Sequence, residues 1–308
     1  MHIRILGSAA GGGFPQWNCA CANCDDVRRG RPGLTRRTQD SIAVSADGND
    51  WFLFNASPDL LQQLATTSAL WPRAPRHTPL AGILLGNGDL DHILGLFSLR
   101  ESTPLVLYAT DAVRQGLEEQ NAIFWTLKRF PEQMQWRRLQ IDEPISLHGA
   151  HGAASGLVVT PFAAAGKRPL HLERRDPDTV GTPEDNVGFE IHDTQRDKRC
   201  LYLSAAVSLS GLLPRIERAD VLLFDGTFWT SDELIALGLG TSRAEDMAHL
   251  PVGGTHGSLA QLARISGVRK VFTHINNTNP MLRVGSPEQR SVLAAGVEIA
   301  YDGMEITL

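Results

Sequence analysis

The feature that most constrains the fold is a series of short apolar runs, rich in β-branched and aromatic residues and bounded by turn residues. They predict strands at residues 3–6, 41–45, 51–55, 82–85, 105–108, 157–161, 188–191, 201–204, 221–225, 270–273 and 297–301. Helical patterns lie between some of these runs, at residues 57–67, 110–122, 209–219 and 258–266. Because strands and helices alternate without a linker, we predict one layered α/β domain over residues 1–308. Strand pairs without an intervening helix, within 41–55 and 188–204, predict mixed sheets that contain antiparallel hairpins.

Charge and hydropathy exclude several function classes. The chain has 29 Lys and Arg against 34 Asp and Glu, a net charge of −5, which gives no general attraction to nucleic acid or anionic membranes. No apolar run reaches the roughly 18 residues that a membrane span needs. The N-terminal apolar stretch, residues 3–6, is too short for a signal peptide. We therefore expect a cytoplasmic protein with neither nucleic-acid nor membrane partners.

Three of the four cysteines, Cys19, Cys21 and Cys24, fall within six positions. In a large cytoplasmic chain, such spacing indicates a metal site rather than a disulfide framework. Thiolates are soft ligands that suit tetrahedral Zn²⁺, so we predict a structural zinc loop at about residues 14–30, with a fourth ligand from elsewhere. The alternative is three free or buried thiols. Cys200, in an apolar strand, is expected to be a core residue.

Side chains that can bind metals follow the predicted strand at 82–85. Asp89, Asp91 and His92 lie within four positions, just before an apolar helical run. In α/β folds, chemistry is found beyond the carboxyl ends of strands. A helix cap formed by Asp89 or Asp91, with His92 incidental, explains the same run equally well when it is taken alone.

Other predicted strands also end in Asp or His, which favours a shared site. Asp225 ends the strand at 221–225, and His274 directly follows the strand at 270–273. His256 precedes the predicted helix at 258–266. A single histidine at such a position is usually structural, but several strand ends with these side chains indicate convergence.

The motif at residues 87–92, together with the late His274, resembles the metallo-β-lactamase superfamily, in which His-x-His-x-Asp-His follows a buried strand. The resemblance implies an αββα sandwich with mixed sheets in a single domain. The Cys-x-Cys-x-x-Cys loop is similar to the zinc loop of some phosphodiesterase members. The chain departs from the signature at Asn87 and Asp89, which stand where the first two histidines would be.

Further departures concern the second metal of that superfamily. No Asp occupies residues 203–206, where the bridging carboxylate is expected, and His171 is the mid-chain histidine candidate. A dinuclear hydrolytic site needs both cations, so these losses count against hydrolysis. The remaining set, Asp91, His92 and His274, has two imidazoles and one carboxylate, the ligands of mononuclear non-haem Fe(II) oxygenases. Zinc and manganese would accept the same set.

Three long strings, at residues 7–19, 86–92 and 273–280, extend the resemblance over the chain and are similar to the pyrroloquinoline quinone (PQQ) biosynthesis protein B family. The resemblance implies an Fe(II)- and dioxygen-dependent hydroxylase. Its implied substrate is the Glu–Tyr cross-linked diamino acid derived from a precursor peptide, hydroxylated on the tyrosine ring. Two alternatives stay open: a metallohydrolase of the same fold, and a PQQ carrier without turnover. Other PQQ biosynthesis proteins and a second copy of the chain are the expected protein partners.

Further roles are assigned as hypotheses. Asp89 is a further metal ligand or orients a bound water, and Asp225 can do the same. His256 is an acid/base candidate, with a capping or buried histidine as the alternative. Arg283 is a candidate bidentate clamp for substrate carboxylates. Asn277, three residues past His274, is the tentative fourth zinc ligand.

The predicted substrate also contains an aromatic ring. Phe228 and Trp229 lie close to Asp225 in sequence and are candidates to pack against that ring. Core packing is the alternative for both side chains.

Overall fold

The computed structural model describes residues 1–101, 103–119, 122–128, 130, 133–149, 152–164 and 181–308. Within them the chain forms two seven-stranded sheets. The first contains β1 (His2–Gly7), β2 (Ser41–Ser45), β3 (Trp51–Phe54), β4 (Leu80–Leu84), β5 (Leu105–Ala109), β6 (Met134–Arg138) and β14 (Glu305–Thr307). The second contains β7 (Ile145–His148), β8 (Ala154–Ala163), β9 (Val187–Asp193), β10 (Lys198–Leu203), β11 (Val221–Asp225), β12 (Arg269–Thr273) and β13 (Val297–Ile299).

Each sheet is mixed, as the sequence predicts. The strand orders are β14-β1-β2-β3-β4-β5-β6 and β13-β12-β11-β10-β9-β8-β7. In both sheets an antiparallel half passes into a parallel half, at β3–β4 and at β10–β11. The β2–β3 and β9–β10 pairs are antiparallel, which confirms the two predicted hairpins.

The layer order follows from strands that are apolar on both faces. In β3, Phe52 and Phe54 enter the core between the sheets, while Trp51 and Leu53 face the outer core of the first sheet. Successive strand side chains point to opposite faces, so such a strand is covered on both sides. Phe54 meets Phe189 of the second sheet edge to face, with ring centroids 5.2 Å apart.

Helices cover the outer faces and complete the predicted αββα sandwich. They are α1 (Ala22–Arg28), α2 (Leu60–Thr66), α3 (Leu90–Ile93), α4 (Asp111–Glu118), α5 (Leu213–Ile216), α6 (Glu233–Ala236), α7 (Ser258–Leu262) and α8 (Pro287–Ala294). Short 3₁₀ turns occur at Ser68–Leu70, Leu94–Ser98, Ala122–Thr126, Glu245–Met247 and Pro280–Leu282. In the described part of the chain, no helix has the length and apolarity needed to cross a membrane.

The predicted site residues lie at the carboxyl ends of three strands, at one end of the sandwich. The 86–92 segment follows β4, Asp225 ends β11, and His274 follows β12. β11 and β12 are parallel, and Asp225 lies directly beside Thr273. The loop after β1 joins them, because the Ala10 amide donates to the Ile275 carbonyl at 2.9 Å.

Candidate metal centre

Asp91, His92 and His274 converge although 183 positions separate the first from the last. Asp91 Oδ2 lies 3.2 Å from His274 Nε2 and 3.8 Å from His92 Nε2. The three side chains each bring a ligand atom within 4.8 Å of the others. Both histidines are buried, and α3 supplies Asp91 and His92 together. This is the ligand arrangement that one metal ion needs.

The hydrogen bonds of His92 leave one ring nitrogen ready for a metal. Its Nδ1 lies 2.8 Å from Asn87 Oδ1, an oxygen that also accepts from the Asp89 amide at 3.0 Å. Because a backbone amide can only donate, the oxygen of Asn87 faces both groups, and His92 Nδ1 carries the proton. His92 Nε2 is buried with no hydrogen-bond partner among the described residues. Such an orphaned atom costs roughly 1–3 kcal/mol, which a bound cation would remove.

The electrostatics of the three groups also suit a cation. Burial lowers the pKa of His92 to about 4, so its ring is neutral. Burial acts to raise the pKa of Asp91, but the interactions with the neighbouring His92 and His274 rings, including the hydrogen bond with His274, outweigh it and hold that pKa far below its usual range. Burial opposes the charge on His274 as well, yet the hydrogen bond and charge of Asp91 raise its pKa to about 9. A metal at this position therefore displaces one proton, from His274.

A third histidine, His249, which was not identified from the sequence, joins the centre. Its Nδ1 lies 2.7 Å from Asp225 Oδ2, and its ring stacks on His274 with centroids 5.4 Å apart. Asp225, His249 and His274 also bring ligand atoms within 4.8 Å. The other Asp225 partners are the Ala206 amide and the Thr227 amide and hydroxyl. Protein donors thus fill the acceptor positions of Asp225, which makes it an anchor for side chains rather than a metal ligand.

The centre opens into a cavity of about 490 Å³, in the size range of small-molecule sites. Polar, uncharged side chains of the lining include Gln16, Asn18, Asn186, Asn276 and Thr278. Apolar side chains of the lining include Phe228, Leu234, Leu239, Met247 and Ala248. Asp89 lines the cavity beside the metal ligands. Among the described lining residues there is no Lys or Arg.

The structure does not bring two of the predicted residues into this cavity. His256 is exposed in the loop before α7, and its carbonyl accepts a hydrogen bond from Gln261. Arg283 Nη2 lies 2.7 Å from Asp26 Oδ2, so its guanidinium is paired and braces α1. These positions correct two expectations: His256 does not lie where an acid/base group would act, and Arg283 does not lie where it could clamp a substrate carboxylate.

The other candidates divide between the cavity and the core. Phe228 lines the cavity, whereas Trp229 packs against the outer core of the second sheet. His171 lies outside the described residues.

The cysteine loop forms a second cluster of ligands. Cys19, Cys21 and Cys24 bring their sulfurs within 4.8 Å of one another. The side-chain amide nitrogen of Asn277 faces all three sulfurs, at 3.2, 3.6 and 3.3 Å from Cys19, Cys21 and Cys24, and a flipped amide would turn its oxygen towards them. Burial, with the neighbouring thiols, raises the pKa of Cys24 to about 12, a cost that a bound Zn²⁺ would offset by stabilising the thiolate. The donor set therefore fits structural zinc.

One loop connects the two clusters. His274 at its start belongs to the Asp91 cluster, and Asn277 belongs to the cysteine cluster. Asn23 of α1 anchors this loop by donating to the carbonyl oxygens of Asn277 at 3.2 Å and Asn279 at 3.1 Å.

Comparisons with known proteins identify the family and the fold of the chain. The family model of the β-lactamase superfamily domain matches residues 50–275. Coenzyme PQQ synthesis protein B of Ruegeria pomeroyi is 44% identical over 308 residues, covering 100% of both chains. The crystal structure of Zn²⁺-bound PqqB from Methylobacterium extorquens superimposes with a TM-score of 0.92, at 41% identity and 100% coverage of both chains. A diphosphatase of the PhnP family shares the fold, with a TM-score of 0.66 at 19% identity over 100% of this chain and 97% of that one.

Proposed function

The chain belongs to the coenzyme PQQ synthesis protein B family within the β-lactamase superfamily, and we propose that it is a mononuclear Fe(II)- and dioxygen-dependent hydroxylase of PQQ biosynthesis. Its proposed substrate is the Glu–Tyr cross-linked diamino acid derived from the precursor peptide. The proposed reaction places oxygen on the tyrosine ring.

The observation that carries this proposal is the ligand set Asp91, His92 and His274, which lines the cavity. Two imidazoles and one carboxylate hold an ion on one side and leave positions for dioxygen and substrate on the other. Zinc accepts the same ligands, and the Methylobacterium protein was crystallised with Zn²⁺. Zinc has no redox chemistry, so a hydroxylase needs a redox-active ion at this position, and we propose that it is iron.

The chain's own residues would bind and orient the substrate. When bound, Fe(II) would activate dioxygen; one oxygen atom would enter the ring and the other would leave as water, with the two further electrons supplied by an external reductant. The apolar side chains of the lining, among them Phe228 and Met247, would hold the tyrosine ring and exclude water, while the amides of Asn18 and Asn276 would hydrogen-bond the polar ends of the substrate. His249 lines the cavity and is anchored through Nδ1, so we assign it the role of proton acceptor that His256 was expected to have.

The alternatives make different demands on the site. A metallohydrolase needs a second cation. Among the described residues, the candidate ligands for it are Asp225, His249 and His274. The oxygens of Asp225 already accept hydrogen bonds from the protein, which counts against a second ion there. A carrier would need no metal, yet His92 Nε2 is buried without a partner among the described residues. Both observations support an enzyme with one active-site ion.

The test is anaerobic reconstitution of metal-free protein with Fe(II), Mn(II) or Zn(II), followed by addition of the diamino acid, a two-electron reductant and then dioxygen. Dioxygen uptake and a product heavier by one oxygen atom, with Fe(II) alone, are expected. The His92→Ala variant is the matched control and should consume no dioxygen. Tight binding of PQQ without uptake would favour the carrier, and activity that requires two active-site ions would favour the hydrolase.

A further inference from the structure

We propose that Thr227 is a positioning residue whose hydroxyl fixes the ring orientation and the proton position of both His274 and His249. The proposal rests on the proposed function only in taking His274 as a metal ligand. Neither the motif nor the strand-end pattern identifies Thr227, which lies two residues past the end of β11.

The Thr227 hydroxyl lies at the centre of the site. The side chain is buried, and its Oγ1 is 2.6 Å from Asp225 Oδ1 and 2.8 Å from His274 Nδ1. The same oxygen is 2.8 Å from the His274 carbonyl oxygen and 3.1 Å from His249 Nδ1. One hydroxyl therefore contacts the anchor carboxylate, the ligand histidine and the cavity histidine.

The available protons determine which ring nitrogen of His274 and of His249 is protonated. A hydroxyl has one proton to donate, and it already faces two groups that can only accept, Asp225 Oδ1 and the His274 carbonyl. It has no proton left for a ring nitrogen, so His274 Nδ1 must donate to Thr227 Oγ1. His249 Nδ1 faces Asp225 Oδ2 at 2.7 Å, another pure acceptor, and must also carry a proton. In each neutral ring the free lone pair is then on Nε2.

This assignment matches what each histidine has to do. Nε2 of His274 is the atom that points at Asp91, where the metal would lie. His249 Nδ1 is engaged by Asp225, so its Nε2 is the nitrogen available to take a proton from substrate. Histidine ligands generally donate their second nitrogen to a fixed oxygen, which sets ring orientation and basicity. Here the chain of contacts runs from His274 through Thr227 to Asp225.

Thr227 also restrains the backbone of the ligand. His274 has φ of 54°, a left-handed conformation that a side chain-bearing residue rarely adopts. The hydroxyl oxygen lies 2.8 Å from the His274 carbonyl oxygen, and the Thr227 carbonyl accepts from the Asn276 amide at 3.0 Å. The same residue thus holds the ring and the main chain that carries it.

The experiment compares Thr227→Val, which keeps the branched shape without the hydroxyl, with Thr227→Ser, which keeps the hydroxyl. Thr194→Val is the matched control, because the Thr194 hydroxyl bonds only a carbonyl far from the site among its described contacts. Affinity of the active site for Co(II) is measured by competition with a chromophoric chelator, after the cysteine loop has been saturated with zinc. Histidine ¹⁵N shifts of the zinc-loaded protein report which ring nitrogen carries a proton.

We expect Thr227→Val to bind Co(II) about 10- to 100-fold more weakly, the usual effect of removing such a partner. Thr227→Ser and Thr194→Val should bind Co(II) like the parent. In Thr227→Val, the ¹⁵N shifts of His274 and His249 should no longer show the proton on Nδ1 alone. If Thr227→Val has no cooperative thermal transition, Thr227→Ala replaces it in the comparison.

Parent-like affinity in the variant that lacks the hydroxyl would overturn the proposal, and so would equal weakening in Thr227→Ser. Neither readout uses dioxygen, so a chain that fails to hydroxylate but shows the expected affinities would refute the proposed function alone.

Discussion

The raised pKa of His274 predicts how the protein responds to pH, in opposite ways with and without metal. In the metal-free protein His274 has a pKa of about 9, against 6.5 for the ordinary side chain. A group with a raised folded-state pKa stabilises the fold fully below the unfolded value, and this contribution is lost as pH rises through the folded value. For His274 the loss falls between pH 6.5 and about 9.

The magnitude follows from the size of the shift. Each pKa unit corresponds to about 1.4 kcal/mol, so His274 contributes on the order of 3 kcal/mol to metal-free stability near pH 6, and almost none above pH 9. Metal binding must displace the same proton. Apparent affinity should therefore rise roughly tenfold per pH unit below about 9 and then level off.

The first assay is urea unfolding, at several pH values, of protein that carries zinc at the cysteine cluster and no metal at the Asp91 cluster. The second is a set of metal competition titrations, corrected for protonation of the chelator. His274→Gln is the control, since it removes the titrating group but keeps a polar side chain of comparable size. The parent should lose stability relative to this variant as pH rises, while its metal affinity increases. A difference between the two that stays constant from pH 6.5 to 9, or an affinity independent of pH, would refute the reasoning.

Four other predictions address the separate parts of the molecule. His92→Ala should lose the active-site metal but keep the cysteine-bound zinc, as metal analysis would report; loss of both would mean unfolding. Cys24→Ser should release that zinc and lower the thermal midpoint, because structural zinc contributes folding energy. His249→Gln should reduce kcat by about 10²- to 10⁴-fold with metal content intact, whereas His256→Gln should leave turnover unchanged, and the reverse result would restore the original assignment. Phe54→Ala should cost about 3–5 kcal/mol in urea unfolding without changing the metal content of the folded protein.

Much of the fold could be predicted because its signal is local. Strands such as β3 and β11 are continuous apolar runs between turn residues, and the two hairpins follow from strand pairs without a helix between them. The Asp91 cluster could be predicted because parallel strands deliver their carboxyl ends to one edge. The helix α8 was missed although its start carries a recognisable signal, Ser286 as a cap followed by Pro287.

The remaining site residues depend on contacts that no local pattern encodes. His249 follows a 3₁₀ turn rather than a strand, and what gives it a role is the distant carboxylate of Asp225. Arg283 was expected in the cavity because its position after His274 suggested proximity. Its actual place is set by Asp26, more than 250 residues earlier, and such a charge pairing becomes visible only in three dimensions.

The short loop from His274 to Asn277 has a practical consequence for anyone who prepares this protein. Three peptide units separate a residue of one ligand cluster from a residue of the other, so we expect a chelator that removes zinc from the thiols also to loosen the segment that carries His274. Protein purified with strong chelators should then bind metal more weakly at the Asp91 cluster. Occupancy of the two clusters should rise and fall together across batches, and specific activity should be normalised to both.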